Sequence, residues 1–203
     1  MTKNVDDNIS CLLKALSFAA HKHRHQRRKS EAAEPYINHP LAVAETLWNM
    51  GKVHDVDTIL AAVLHDTLED TDTSPQELDA IVGKKVRLIV EEVTDNKRLP
   101  KLERKRLQIE NAGNATLAAR HIKLADKICN IQDLVYAPPS GWSLQRQREY
   151  VDWAEQVVEG LRGTNEALER CFDALCRKAR TYFLGRGQGF PSRKMNNETP
   201  TPD

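Results

Sequence analysis

The sequence predicts an all-α fold, a single domain of about eight to ten helices. Three observations predict it. Nearly every segment repeats its apolar residues at helical spacing, no run of alternating β-branched residues occurs, and no linker or internal repeat divides the 203 residues. Residues 8–24 place Ile9, Leu12, Leu13, Leu16, Ala19 and Ala20 on one stripe. His39-Pro40 opens a second helix, because a proline N–H would be unpaired in a first turn anyway; Gly51 stops it after Met50. A third helix is expected over about 55–68, starting at Asp55 or Asp57. Ser74-Pro75-Gln76-Glu77 reads as a capping box with proline at the first position and starts a short fourth helix. Gly83 separates it from 84–95, and Pro100 begins a helix over about 100–112. Segment 115–134 turns Leu117, Ile122, Leu124, Ala125, Ile128, Ile131 and Leu134 inward. Two long helices follow, about 143–162 and 165–184, divided by Gly163-Thr164-Asn165. The glycines, prolines and asparagines of 185–203 predict a disordered tail.

Composition bounds the function. Hydrophobic residues make 40% and charged residues 29%, ordinary for a globular protein, and the net charge of +1 excludes a general nucleic-acid or membrane-surface binder. Cys11, Cys129, Cys171 and Cys176 form no metal-knuckle or redox spacing; Cys11, Cys171 and Cys176 read as small core residues. The N-terminus has no apolar signal region, and the longest apolar run, Ile59 to Leu64, is too short to span a bilayer. A reduced, cytoplasmic protein is expected.

The chemistry concentrates in AAVLHDTLEDTD, residues 61–72. On a continuous helix His65 and Glu69 share a face, as do Asp66 and Asp70, and the two faces adjoin. Three carboxylates beside an imidazole require a positive partner, and a divalent metal is the natural one. His39 at a helix start and Asp126 amid an apolar stripe complete a His, His-Asp, Asp set of mixed nitrogen and oxygen donors, suited to Mn²⁺, Fe²⁺ or Zn²⁺. A lone His-Asp pair is more often a capped or salt-bridged helix end; the ordered set across several helices is what separates this chain from that reading. His21, His54 and His121 have no partner pattern and read as surface or capping histidines.

HKHRHQRRKSEAAEPYINHP (21–40), AAVLHDTLEDTDTS (61–74), EEVTDNKRLPKLERKR (91–106), KLADKICNIQDL (123–134) and REYVDWAEQVVEGL (148–161) together resemble an HD-domain phosphohydrolase. Within that superfamily they are similar to the hydrolase module of the RelA/SpoT alarmone enzymes, and most of all to free-standing small alarmone hydrolases such as the metazoan SpoT homologues. The resemblance implies an HD domain over 1–184 with His39, His65, Asp66 and Asp126 as ligands of one divalent ion, manganese. It makes Glu69 and Asp70 the pair that positions and deprotonates the attacking water. The chemistry is consistent, since a metal acidifies bound water and a nearby carboxylate takes the proton. Acids at a helix C-terminus also oppose the helix dipole, so a site role accounts for them better than an exposed turn does.

Lys22, Arg24, Arg27, Arg28 and Lys29 form one basic cluster, and Lys97, Arg98, Lys101, Arg104, Lys105 and Arg106 another. Most are expected to be solvated. The resemblance points to Arg28, Lys29 and Lys101 as contacts of a polyanionic ligand, to Asn130 as a ligand-contacting asparagine, and to Tyr150 near the nucleotide. Tyr150 reads equally well as a half-buried helical tyrosine. His25, Cys129 and the insertion Glu31-Ala32-Ala33 depart from the family pattern and are expected to border the base pocket. The implied activity is removal of the 3′-diphosphate from guanosine tetra- and pentaphosphate, ppGpp and pppGpp, giving GDP or GTP plus pyrophosphate. The chain is expected to lack a synthetase and to act on a small nucleotide, without nucleic-acid or membrane partners. Two rivals are the same chemistry on another nucleotide, such as loss of the 2′-phosphate from NADPH, and a non-catalytic alarmone-binding module. Glu69 and Asp70 weigh against the second, because a binder has no use for water-activating acids.

Overall fold

A computed structural model describes residues 5–187. The chain order is α1 (Val5–Lys22), α2 (Asn38–Glu45), a π-helical turn (Thr46–Met50), α3 (Val56–Leu64), the single turn α4 (Thr67–Asp70), α5 (Pro75–Val82), α6 (Lys84–Val93), α7 (Lys101–Asn111), a 3-10 turn (Ala112–Asn114), α8 (Leu117–Tyr136), α9 (Leu144–Glu159) and α10 (Glu166–Gly187). No strand occurs among the described residues; Arg27 with Pro35 and Ser30 with Pro139 make only isolated bridges. The all-α architecture is as the periodicity predicts.

α3 and α8 form the centre. Every residue of α3 from Thr58 to Leu64 is buried, and α8 packs on α2, α3, α6, α9 and α10. Phe172, Phe183, Leu60, Leu64, Leu124 and Ile131 are among the largest fully buried side chains. The predicted starts hold at two ends. Asp55 caps α3 by accepting from Thr58 N at 3.0 Å, and at α5 Ser74 accepts from Glu77 N while the Glu77 carboxylate accepts from Ser74 N at 2.8 Å.

Several expectations are corrected. The third helix does not run to 68. The His65 ring Nδ1 donates to Ala62 O at 2.8 Å and the Thr67 hydroxyl to Leu64 O at 2.7 Å. Those carbonyls would otherwise receive the amides of Asp66 and Leu68, so the side chains break the helix between α3 and α4. α1 is rotated from its predicted stripe: Ala15 and Ala19 are buried, with Cys11, Leu12, Leu16 and Phe18 against the core, while Ile9 and Leu13 are exposed and Ala20 faces out. His121 is buried, whereas His54 is exposed and stacks on Trp48 at 4.3 Å. α10 continues to Gly187, so 185–187 are helical, and the rest of the predicted tail lies outside the described residues.

α7 stands apart, for none of its residues is buried. Polar contacts tie it down: the Trp153 indole N–H donates to Lys105 O at 3.2 Å, and the Lys105 ammonium lies over the same ring at 4.6 Å.

Candidate metal centre and active site

The break after α3 places His65 and Asp66 where two other helices can meet them. His39 comes from the start of α2 and Asp126 from the middle of α8. The four donor atoms alternate around a ring. His39 Nε2 lies 3.0 Å from Asp126 Oδ1 and 3.9 Å from Asp66 Oδ2; His65 Nε2 lies 3.0 Å from Asp66 Oδ2 and 3.9 Å from Asp126 Oδ1. Donors about 2.0–2.2 Å from a shared ion sit at such neighbour spacings; His39, His65 and Asp126 bring one donor atom each within 4.8 Å of one another, and Asp66 stands beside that trio rather than within it.

Two further features fit a cation. Nδ1 of His65 is committed to Ala62 O, which leaves the Nε2 lone pair facing the cluster, and Nε2 is buried without a well-directed hydrogen bond. Tyr36 orients Asp66 by donating to its Oδ2 at 2.6 Å, and Asn130 orients Asp126 by donating to its Oδ1 at 2.7 Å.

The electrostatics follow from this geometry. Burial alone would lower the His65 pKa, but Asp66 and Asp126 reverse it and hold the ring up to about 9. Burial would raise Asp66, yet His65 and His39 keep its carboxyl well below the usual range. Burial likewise opposes ionisation of Asp126, and Lys127, then His39 and His65, overcome it. The buried Lys127 ammonium donates to Asp126 Oδ2 at 2.8 Å.

Glu69 differs from its neighbours. Burial, with the charges of Asp95, Asp66 and Asp70 adding to it, pushes the Glu69 carboxyl up to about 7, although Asp95 N donates to it at 3.1 Å. Such a value is near that of an effective general base. Asp70 lies beside Tyr36 OH at 3.4 Å and is paired with Lys97.

All eleven residues singled out in the sequence line one cleft of about 850 Å³. Arg28 donates to Asn130 Oδ1 at 3.2 Å and is paired with Asp133. Lys29 and Lys101 are exposed on the cleft wall, and Tyr150 lies among Trp142, Trp153 and Lys105. The basic clusters divide. Lys22 ties the end of α1 to Asp72 in the turn after α4 and to Glu77 of α5, each at 2.9 Å, and Arg106 is paired with Glu103 and Glu110, whereas Arg28, Lys29, Lys101, Arg104 and Lys105 reach the cleft. None of His25, Glu31, Ala32, Ala33 and Cys129 lines it, although Ser30 and Glu34, on either side of the insertion, and Asn130, next to Cys129, do. Cys129 is buried against Thr46, with its thiol pushed up to about 12 by burial.

Sequence reasoning missed Tyr36, Arg104, Lys123, Lys127 and the Trp142–Arg146–Trp153 wall. For the lysines a signal existed: Lys123, Asp126, Lys127, Asn130 and Asp133 follow three- and four-residue spacing along one face of α8. Tyr36 had none, since its partner Asp66 lies 30 residues away.

A family model for the HD domain matches residues 15–153. The zebrafish (Danio rerio) guanosine-3′,5′-bis(diphosphate) 3′-pyrophosphohydrolase MESH1 is 51% identical over 180 residues, covering 89% of this chain and 96% of that protein. The human (Homo sapiens) MESH1 protein is 52% identical over 164 residues, covering 81% and 92%. The solved structure of a metazoan orthologue of SpoT, which hydrolyzes ppGpp and plays a role in starvation responses, superposes with a TM-score of 0.80 at 42% identity, covering 89% of this chain and 96% of that one. A match to most of the chain, together with the histidine–aspartate ring, leaves one conclusion: the chain belongs to the HD-domain family, alongside the MESH1 proteins of animals.

Proposed function

We propose that the protein is a metal-dependent guanosine-3′,5′-bis(diphosphate) 3′-pyrophosphohydrolase that converts ppGpp and pppGpp to GDP or GTP plus pyrophosphate. The observation that carries this reading is the ring of four donor atoms with the raised carboxyl of Glu69 in the same cleft. The activity of the animal relatives supports the choice of substrate.

His39, His65, Asp66 and Asp126 would hold one divalent ion, and we assign manganese on the mixed imidazole and carboxylate donors. A divalent ion bound there acidifies water and polarises a phosphoryl oxygen. Glu69 takes the proton of the attacking water, and Asp70 orients that water from the α4 turn. The new bond joins the water oxygen to the phosphorus on the ribose 3′-oxygen, and the bond between them breaks; pyrophosphate leaves and the ribose oxygen is protonated. Tyr36, protonated because burial and Asp66 raise its pKa, keeps Asp66 oriented throughout. Arg28, Lys29 and Lys101 bind phosphate, Asn130 contacts the ligand near Asp126, and Tyr150 lies beside the nucleotide. We take 1–184 as the hydrolase domain and the cytoplasm as its compartment, in keeping with four free cysteines.

The test is a side-by-side measurement of kcat/KM for ppGpp, its adenosine counterpart and NADPH in manganese. The expected order puts ppGpp first. If NADPH is turned over best, the metal chemistry stands and the alarmone assignment falls.

A further inference from the structure

The cleft adjoins a second cavity of about 390 Å³, and Arg104, Asp95, Gln108 and Lys123 line both. Lys29 and Lys101 are exposed on the cleft wall, whereas the cations of the wall that are withdrawn from solvent are engaged among the described residues, with one exception. Lys127 is held by Asp126 at 2.8 Å, Lys105 lies over the Trp153 ring at 4.6 Å, and Arg104 lies 3.6 Å from Glu69 and 3.8 Å from Asp95. Lys123, partly buried on α8, has no hydrogen bond, ion pair or ring contact among the described residues.

The carboxylates near it are already committed. Asp95 accepts from Gln108 Nε2 at 2.7 Å; Glu92 accepts from Thr116 N at 2.6 Å and from its hydroxyl; Asp126 serves His39, Asn130 and Lys127. Desolvation therefore dominates at Lys123: burial, reinforced by the charge of Lys127, pulls its ammonium below the ordinary lysine value despite Asp95, Asp126 and Glu92. A desolvated ammonium with no acceptor destabilises the free protein. It lies one helical turn before Asp126 and Lys127, on the side of α8 that faces the metal ring.

We propose that Lys123 is a catalytic residue whose missing acceptor is the substrate: its ammonium binds a nonbridging oxygen of the phosphoryl group under attack. The inference rests on the phosphohydrolase reading and adds a specific group to it. Charge grows on those oxygens as the water bond forms, so the contact tightens in the transition state and acts on kcat more than on KM.

The experiment compares Lys123→Met and Lys123→Arg with wild type in steady-state kinetics and in thermal melts of the chelated protein. For Lys123→Met we expect kcat to fall on the order of 10²-fold with a much smaller change in KM. Its Tm without ligand should equal or exceed that of wild type, because an unpaired ammonium is removed. Lys123→Arg should recover part of the rate. The proposal is overturned if Lys123→Met keeps kcat within a few-fold of wild type. A lowered Tm with activity lost only in proportion to the unfolded fraction overturns it too, by making the lysine structural. Wild-type protein that turns over NADPH and not ppGpp defeats the substrate reading alone, and the same comparison is then made on NADPH with the same expected loss.

Discussion

Glu69 shows how much one side chain's surroundings decide. Its carboxyl is raised from 4.5 to about 7, so the fraction able to accept a proton increases with pH. The expected profile of kcat/KM rises with pH to a plateau, with a midpoint no higher than about 7, because a bound cation lowers the value further. Glu69→Gln should retain the metal, lose on the order of 10²–10⁴ in kcat and lose that limb. An unchanged limb in the variant would give the base role to another group. Asp126→Asn is expected to behave otherwise, losing the metal, as metal analysis of the dialysed protein would show, and the Tm of the chelated protein as well. The buried Lys127 would then face a neutral amide, and stranding a buried charge costs about 3–5 kcal/mol. The four ring donors were legible in the sequence because two lie adjacent and two sit at conspicuous places in apolar helices. Tyr36 was not, since a distant hydroxyl leaves no local pattern; for Lys123 the spacing gave its face of α8 but not its role, since a lysine on a helix reads as solvated until its neighbours are known to be engaged.

At the scale of elements, starts were more legible than ends. The capping box at Ser74 and the cap at Asp55 lie in the sequence as side chains next to the amides they bind. The break between α3 and α4 depends on His65 and Thr67 capturing carbonyls that a helix pattern assigns elsewhere. For α1, leucines and isoleucines outlined a stripe, yet close approach to α3 favours the small Ala15 and Ala19. Small residues decide a second junction. A Cβ on Gly160, at the end of α9, would lie 2.8 Å from Ala112 Cβ and 3.3 Å from Gly113 N in the 3-10 turn. Gly160→Ala is therefore expected to cost about 1–3 kcal/mol, read as a lower denaturant midpoint with the m-value unchanged. Full stability in that variant would mean that the turn yields freely.

The whole molecule couples metal, protons and folding. Without metal, His65 titrates near 9 because the carboxylates around it favour its charged form, so near neutral pH a proton occupies the place of the cation. Metal uptake should then release about one proton per site, measurable in weakly buffered solution, and affinity should rise with pH up to about 9. The apo protein should trend oppositely. The folded-state pKa is raised above 6.5, so this stabilisation is fully present below 6.5 and lost as pH rises through about 9. Saturating metal should raise Tm, most strongly at alkaline pH. A proton yield near zero at pH 7 would show that His65 is neutral in the free site. The all-α class was legible because 3.6-residue periodicity runs through nearly the whole chain, whereas the way the helices close a cleft depends on contacts between residues far apart in sequence.

α7, without one buried residue, carries Lys101, Arg104 and Lys105 to the cleft. A helix held by charge, the Trp153 indole, the Gln108 amide and the partly buried Ile109 has little apolar mortar, and a polyanionic nucleotide would supply the missing binder between it and the body of the protein. Occupancy should thus be recorded in its backbone. Amide hydrogens of 101–111 should exchange faster than those of α8 in the empty protein and slow sharply when nucleotide is bound. Added salt should loosen that clamp first, making the departure of product the step that ionic strength speeds.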